Sequence, residues 1–168
     1  MKRTIISGLL IALAIILWNC SNDPGVTSPK GTNNPQALQG DEYPGDRLYT
    51  TTHEWIKVGE DSIAVVGITS YGLISLGTCT SGMIVEDIDE RIKKPLPGAK
   101  LTGSLTTKTM YVPVDGNLHS YNPLLDTNPS VVNSYPYTTG WVFKLYNIDY
   151  SQLGSLMTAS EYIQYIGQ

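Results

Sequence analysis

The sequence predicts a mainly β domain with a few short helices, carried behind a leader and a linker. Three observations lead there. Short apolar runs alternate with polar residues at a spacing of two, Gly and Pro punctuate them, and only three segments carry the signals of helix starts. The clearest case is Ile92–Gly116. Leu101, Gly103 and Leu105 alternate with polar residues, and Met110, Val112 and Val114 do the same after Thr106-Thr107-Lys108-Thr109. Two such runs joined by a short polar segment form a β-hairpin with one apolar face, and Lys108 is expected near its tip. Pro113 and Gly116 mark the end of the second run, because proline donates no ladder hydrogen bond and glycine tolerates turn dihedrals.

The other elements follow in chain order. Ile56-Lys57-Val58 and Ser62–Val66, separated by Gly59-Glu60-Asp61, predict a second hairpin. Thr69 is placed to cap a short helix over Ser70–Leu76 that Gly77 ends. Met83–Ile88 alternates as a strand should. Asn128-Pro129 opens a turn or two of helix, since proline suits the first helical position. Trp141–Leu145 reads as a late strand, and Thr158-Ala159-Ser160-Glu161 is a capping box that opens a last helix over Ala159–Ile166.

The first 47 residues are of another kind. Met1-Lys2-Arg3 is positive, Ile5–Trp18 is apolar apart from Ser7 and Gly8, and Cys20 follows, which together define an export signal over residues 1–19. The apolar run is short for a membrane span, which takes about 20 residues. Leu17-Trp18-Asn19-Cys20 resembles a bacterial lipobox, which implies acylation of Cys20 and anchoring by several buried hydrocarbon tails. Residues 20–47 are then expected to form a lipidated flexible tether. Ser21–Asp46 holds four prolines and four glycines in 26 residues and has too little apolar content to fold. Residues 48–168 are the length of one ordinary domain.

Composition excludes several function classes. Loss of Lys2 and Arg3 with the leader takes the net charge from −4 to −6, so no basic surface awaits nucleic acid. With Cys20 acylated, Cys79 is a lone thiol, and no disulfide within the chain is possible. His53 and His119 fit no metal-ligand spacing, so no metal is expected. Glu86-Asp87 and Asp89-Glu90, and the basic group Arg91, Lys93, Lys94 and Lys100, are expected to be solvated faces. No nucleophile elbow, P-loop or dinucleotide fingerprint is present, so no catalytic residue is assigned.

Motifs along residues 48–168 resemble those of the H protein of the glycine cleavage system. They are Tyr49-Thr50-Thr51-Thr52-His53-Glu54-Trp55-Ile56, Val66-Gly67-Ile68-Thr69-Ser70-Tyr71-Gly72 with Leu76-Gly77, Val112-Pro113-Val114-Asp115-Gly116, and Asn128-Pro129 with Val132-Asn133, Pro136-Tyr137 and Gly140-Trp141. The resemblance implies a flattened β-sandwich, or barrel-sandwich hybrid, of the lipoyl-domain type. It also implies a lipoyl lysine eight residues before Pro113. That position is Leu105, and Lys108 stands three residues beyond it.

Two functions are therefore expected from the sequence. The first is a non-enzymatic envelope lipoprotein that uses the fold as a structural or interaction module, with no cofactor, the membrane as one partner through its lipid, and an unidentified protein as another. The alternative is a lipoyl carrier of the glycine cleavage system with Lys108 as its acceptor. The leader makes its own prediction. Cells labelled with a radioactive fatty acid should incorporate label into the parent chain and none into Cys20→Ser, and label persisting in that variant would show the lipobox reading to be wrong.

Overall fold

The computed structural model describes residues 42–167, and among these nine strands form two antiparallel sheets. The larger sheet has the order β1-β2-β3-β9-β8-β5 and the smaller β4-β6-β7. In chain order the strands are β1 (Leu48–Tyr49), β2 (Glu54–Val58), β3 (Ala64–Ile68), β4 (Cys79–Ile84), β5 (Arg91–Ile92), β6 (Pro97–Gly103), β7 (Thr107–Tyr111), β8 (Gly116–Tyr121) and β9 (Phe143–Tyr146). Four short α-helices join them: α1 (Ser70–Leu76), α2 (Leu124–Thr127), α3 (Val131–Ser134) and α4 (Ala159–Ile166), with a 3-10 segment over Tyr150–Ser155. This is the flattened sandwich expected from the sequence, and neither sheet closes into a barrel.

Local chemistry accounts for the elements that hold the hairpin β6–β7. Strands β2 and β3 pair from Glu54 opposite Ile68 to Val58 opposite Ala64, as their alternation predicts. The Thr69 hydroxyl accepts from the Gly72 amide and caps α1, and Gly77 ends the helix at φ 75°, a conformation that favours glycine. Helix α4 has the expected capping box, with the Thr158 hydroxyl and the Glu161 carboxylate each satisfying the other's backbone amide.

The core lies between the sheets. Ile56, Val66, Ile68, Leu118 and Phe143 of the larger sheet meet Ala99, Leu101 and Met110 of the smaller, all fully or nearly fully buried. Helix α1 closes one end: a Cβ added to Gly103 would lie 2.2 Å from the Leu76 carbonyl oxygen, so only glycine lets α1 approach the hairpin this closely. A second cluster of Tyr43, Tyr49, Trp55 and Tyr162 packs outside the larger sheet, with the Tyr49 and Tyr162 rings stacked at 4.8 Å.

Four expectations are corrected here. The end of the tether is folded: Tyr43 is 4% exposed, Arg47 lies over the Trp55 ring at 4.6 Å, and Asp46 bridges Arg47 and Lys57. The rest of the tether, Cys20 and the leader lie outside the described residues. The strand expected over Met83–Ile88 ends at Ile84, and Met83, Val85 and Ile88 are exposed, because β4 has only β6 to pair with and a register shift between Cys79 and Ser81 re-aims its side chains. Asn128-Pro129 does not begin a helix but separates α2 from α3, with the Asn128 carbonyl accepting from Val131. The late strand begins at Phe143 and not at Trp141.

Leu101 is fully buried at the centre of the smaller sheet, so Leu101→Ala should lower stability by about 2–5 kcal/mol in urea denaturation of the full chain.

Candidate functional site

The hairpin β6–β7 is the candidate site, and its geometry differs from the expected one. The turn is Gly103–Thr106, closed by the Gly103 amide on the Thr106 carbonyl. Leu105 stands in it, 72% exposed. The turn is held from behind, since the Ser104 and Leu105 amides donate to the carbonyls of Thr78 and Leu76 at 2.9 and 3.1 Å. Lys108, expected at the tip, is instead the second residue of β7, directly opposite Leu101. Opposed residues in an antiparallel pair share a face, and Leu101 and Met110 face the core, so Lys108 lies on the inner side of the hairpin and is half-buried. Among the described residues it forms no ion pair.

Its charge is felt by His53. Burial, and then the neighbouring Lys108 ammonium, hold the His53 imidazole below the ordinary histidine range. His53 sits in the turn before β2 at φ 76°, held by Thr69, whose amide donates to the His53 carbonyl at 2.9 Å. Its Nδ1 lies 2.9 Å from the Tyr162 hydroxyl.

At the other end of β7 is a cleft of about 500 Å³. Thr50, Thr52 and Glu54 line one side, Tyr111 and Val112 another, and Lys94 and Met157 the rim. Glu54 is fully buried and has no cation partner among the described residues. Its carboxylate is satisfied by neutral donors instead: the hydroxyls of Thr50 and Thr52, and the Tyr111 amide at 3.0 Å. Glu54 belongs to the larger sheet and Tyr111 to the smaller, so this one side chain crosses the sandwich. Sequence reasoning missed its role. The signal was a glutamate ahead of an apolar strand and behind three threonines able to donate to it.

Of the cysteine, acidic and basic groups marked in the sequence, only Lys94 lines the cleft. Cys79 is buried at the start of β4, where burial raises its thiol above the ordinary range. Glu86, Asp87, Asp89 and Glu90 are exposed, as are Arg91, Lys93, Lys94 and Lys100. Among the described residues no group of three His, Cys, Asp or Glu side chains gathers as a metal site, and no helix is long and apolar enough to cross a membrane.

Sandwich and hairpin together define a lipoyl-domain-like scaffold that presents an exposed turn. A family model described as glycine cleavage H-protein matches residues 47–168, and the chain belongs to that family. Similar relatives include the glycine cleavage system H proteins of two strains of Listeria monocytogenes serotype 4b, each 32% identical over 119 residues, which is 71% of this chain and 94% of theirs. A crystal structure of a glycine cleavage system H protein from Mycobacterium marinum superposes with a TM-score of 0.65 at 29% identity, covering 74% of this chain and 99% of that one.

These matches correct two expectations. Relatives named for the glycine cleavage system over nearly their whole length overturn the reading of a non-enzymatic envelope module, and favour the carrier alternative. They likewise overturn the expected partners, membrane lipid and an unidentified protein, because the relatives are named for the glycine cleavage system.

Glu54→Ala would leave the half-buried Tyr111 amide without its acceptor and remove one link between the sheets. A loss of about 1–3 kcal/mol is expected in urea denaturation.

Proposed function

We propose that this chain is a lipoyl carrier of the glycine cleavage system, with Lys108 as the residue that takes the acyl group. The observation that carries the reading is the family match over residues 47–168 together with relatives of the same name. Such a protein presents a group to the other components and leaves the catalysis to them. The lipoyl group supplies the redox-active dithiol when bound. It is this cofactor, not the absence of one, that the comparisons favour.

Leu105, in the turn, has no amine to acylate. Of the hairpin's two lysines, Lys100 in β6 and Lys108 in β7, Lys108 is the nearer to the turn. The Lys108 side chain belongs to a half-buried residue and is not locked in an ion pair, so acylation breaks no salt bridge among the described residues. An amide there also replaces a cation with a neutral group beside His53, which removes the like-charge opposition to imidazole protonation. The cleft bounded by Tyr111 and Glu54 lies along the same strand and offers a partly apolar shelter for a carried group.

Location is a separate proposal, because it rests on the first 41 residues and the family match begins at 47. The leader and Cys20 support an envelope location, and the fatty-acid labelling described above tests it.

Acylation is tested by producing residues 42–168 together with a lipoate ligase and lipoate, then measuring the intact mass. One added lipoyl group in the parent and none in Lys108→Arg is the expected result. No addition, or an addition that survives Lys108→Arg, would overturn the assignment of Lys108.

A further inference from the structure

Three elements distant in sequence meet at one row of polar atoms that runs from half-buried His53 to fully buried Tyr162 and Thr69. His53 Nδ1 lies 2.9 Å from the Tyr162 hydroxyl of α4, and that hydroxyl lies 2.8 Å from Thr69 Oγ1. Thr69 Oγ1 in turn accepts from the Gly72 amide at 3.1 Å, the bond that caps α1. Thr69 and Tyr162 are fully buried. Hydrogens in such a row have to be shared out, because a buried donor without an acceptor is costly.

With a neutral imidazole the count works in one direction. The Thr69 hydroxyl donates to the Tyr162 oxygen, the Tyr162 hydroxyl donates to a bare Nδ1, and His53 carries its proton on Nε2. A second proton on the imidazole reverses the row. Nδ1–H then donates to the Tyr162 oxygen, and the Tyr162 hydroxyl turns to Thr69 Oγ1. The Thr69 hydrogen is left with no acceptor among the described residues, since Tyr162 and the Gly72 amide are the only partners of that oxygen.

We propose that His53, Tyr162 and Thr69 form a proton-sensitive latch that pins α4 and the start of α1 to the turn before β2, and that opens when His53 becomes charged.

The surroundings act in the same direction. Facing the imidazole are Lys108 from β7, Glu54 next to it in the chain, Tyr71 from α1 with ring centres 5.1 Å apart, and Tyr162 and Tyr165 from α4 at 6.0 and 6.2 Å. Lys108 opposes the added charge and Glu54 favours it. Burial is the largest influence and also opposes it, so the folded protein holds the proton less tightly than the unfolded chain. The sign follows. The latch is intact above the ordinary histidine pKa of about 6.5, and its contribution is lost as pH falls through the lower folded value. Acid also sets a second cation, His53, within the influence of Lys108. The latch stands whether or not Lys108 is acylated.

The experiment is a long-range proton–nitrogen NMR titration of the full chain with labelled histidine, with His119→Gln to assign the two histidines. At neutral pH the parent should show His53 protonated on Nε2 with Nδ1 bare. In Tyr162→Phe the His53 midpoint should rise by about half a unit or more, since neutral imidazole loses the donor that favours it. Amide exchange adds a measurement that needs no change to the latch. Protection of α4 amides in the parent should fall about tenfold between about pH 7.5 and about pH 5.5, and should stay level in His53→Gln. A proton on Nδ1 in the neutral parent, an unmoved midpoint in Tyr162→Phe, or equal pH dependence of α4 with and without His53 would each overturn the proposal. If Tyr162→Phe does not fold, the tautomer and the exchange in the parent decide the matter.

Discussion

The two sheets are joined by a buried carboxylate that has no cation partner among the described residues. Glu54 takes its hydrogen bonds from two threonine hydroxyls in its own turn and from the Tyr111 amide across the sandwich. A charge out of water is tolerated only when its acceptor capacity is filled, so the geometry of the turn before β2 and the position of β7 constrain each other. The same turn holds His53 at a positive φ and ties it to Thr69. Hairpin, helix α1 and the first long strand are thereby fixed around one small polar region inside an otherwise apolar interior.

The hairpin is also braced where it protrudes. Behind the turn, the amides of Ser104 and Leu105 are held by carbonyls of the α1–β4 connection, and Gly103 admits the Leu76 backbone at a distance no other residue allows. A turn backed in this way presents its residues in one fixed geometry. In this chain the position in the turn is a leucine, and the nearby amine sits one step along the inner face.

What could be read in the sequence was whatever short-range pattern decides. The β2–β3 hairpin, the Thr69 cap with Gly77 after it, and the Thr158 capping box all lie within a few residues of their partners and appear as expected. What escaped depends on contacts far apart in the chain. Tyr43 sits in a stretch too polar to fold by itself, yet its ring meets Tyr49, Tyr137 and Tyr162. His53 and Tyr162 are 109 residues apart, and no local spacing announces their bond. The orientation of Lys108 needed the register of β6 against β7, because a shift of one residue turns a side chain from solvent to core. Met83 and Val85 alternate as strand residues do, but the face they occupy has nothing packed on it.

The folded stretch ahead of β1 bears on how the domain responds to a pull at its N-terminal end. Strand β1 has only two residues, held by β2 on one side and by a two-bond bridge between Tyr49 and Met157 on the other, so a load applied there would meet few hydrogen bonds. The load does not reach it first. Tyr43 is seated among three tyrosine rings, Glu42 accepts from Ser70, and the Tyr49 hydroxyl holds the Pro44 carbonyl. Tension arriving from that side is taken up by an aromatic plug that has to be drawn out whole, and the edge of the sheet is shielded from it.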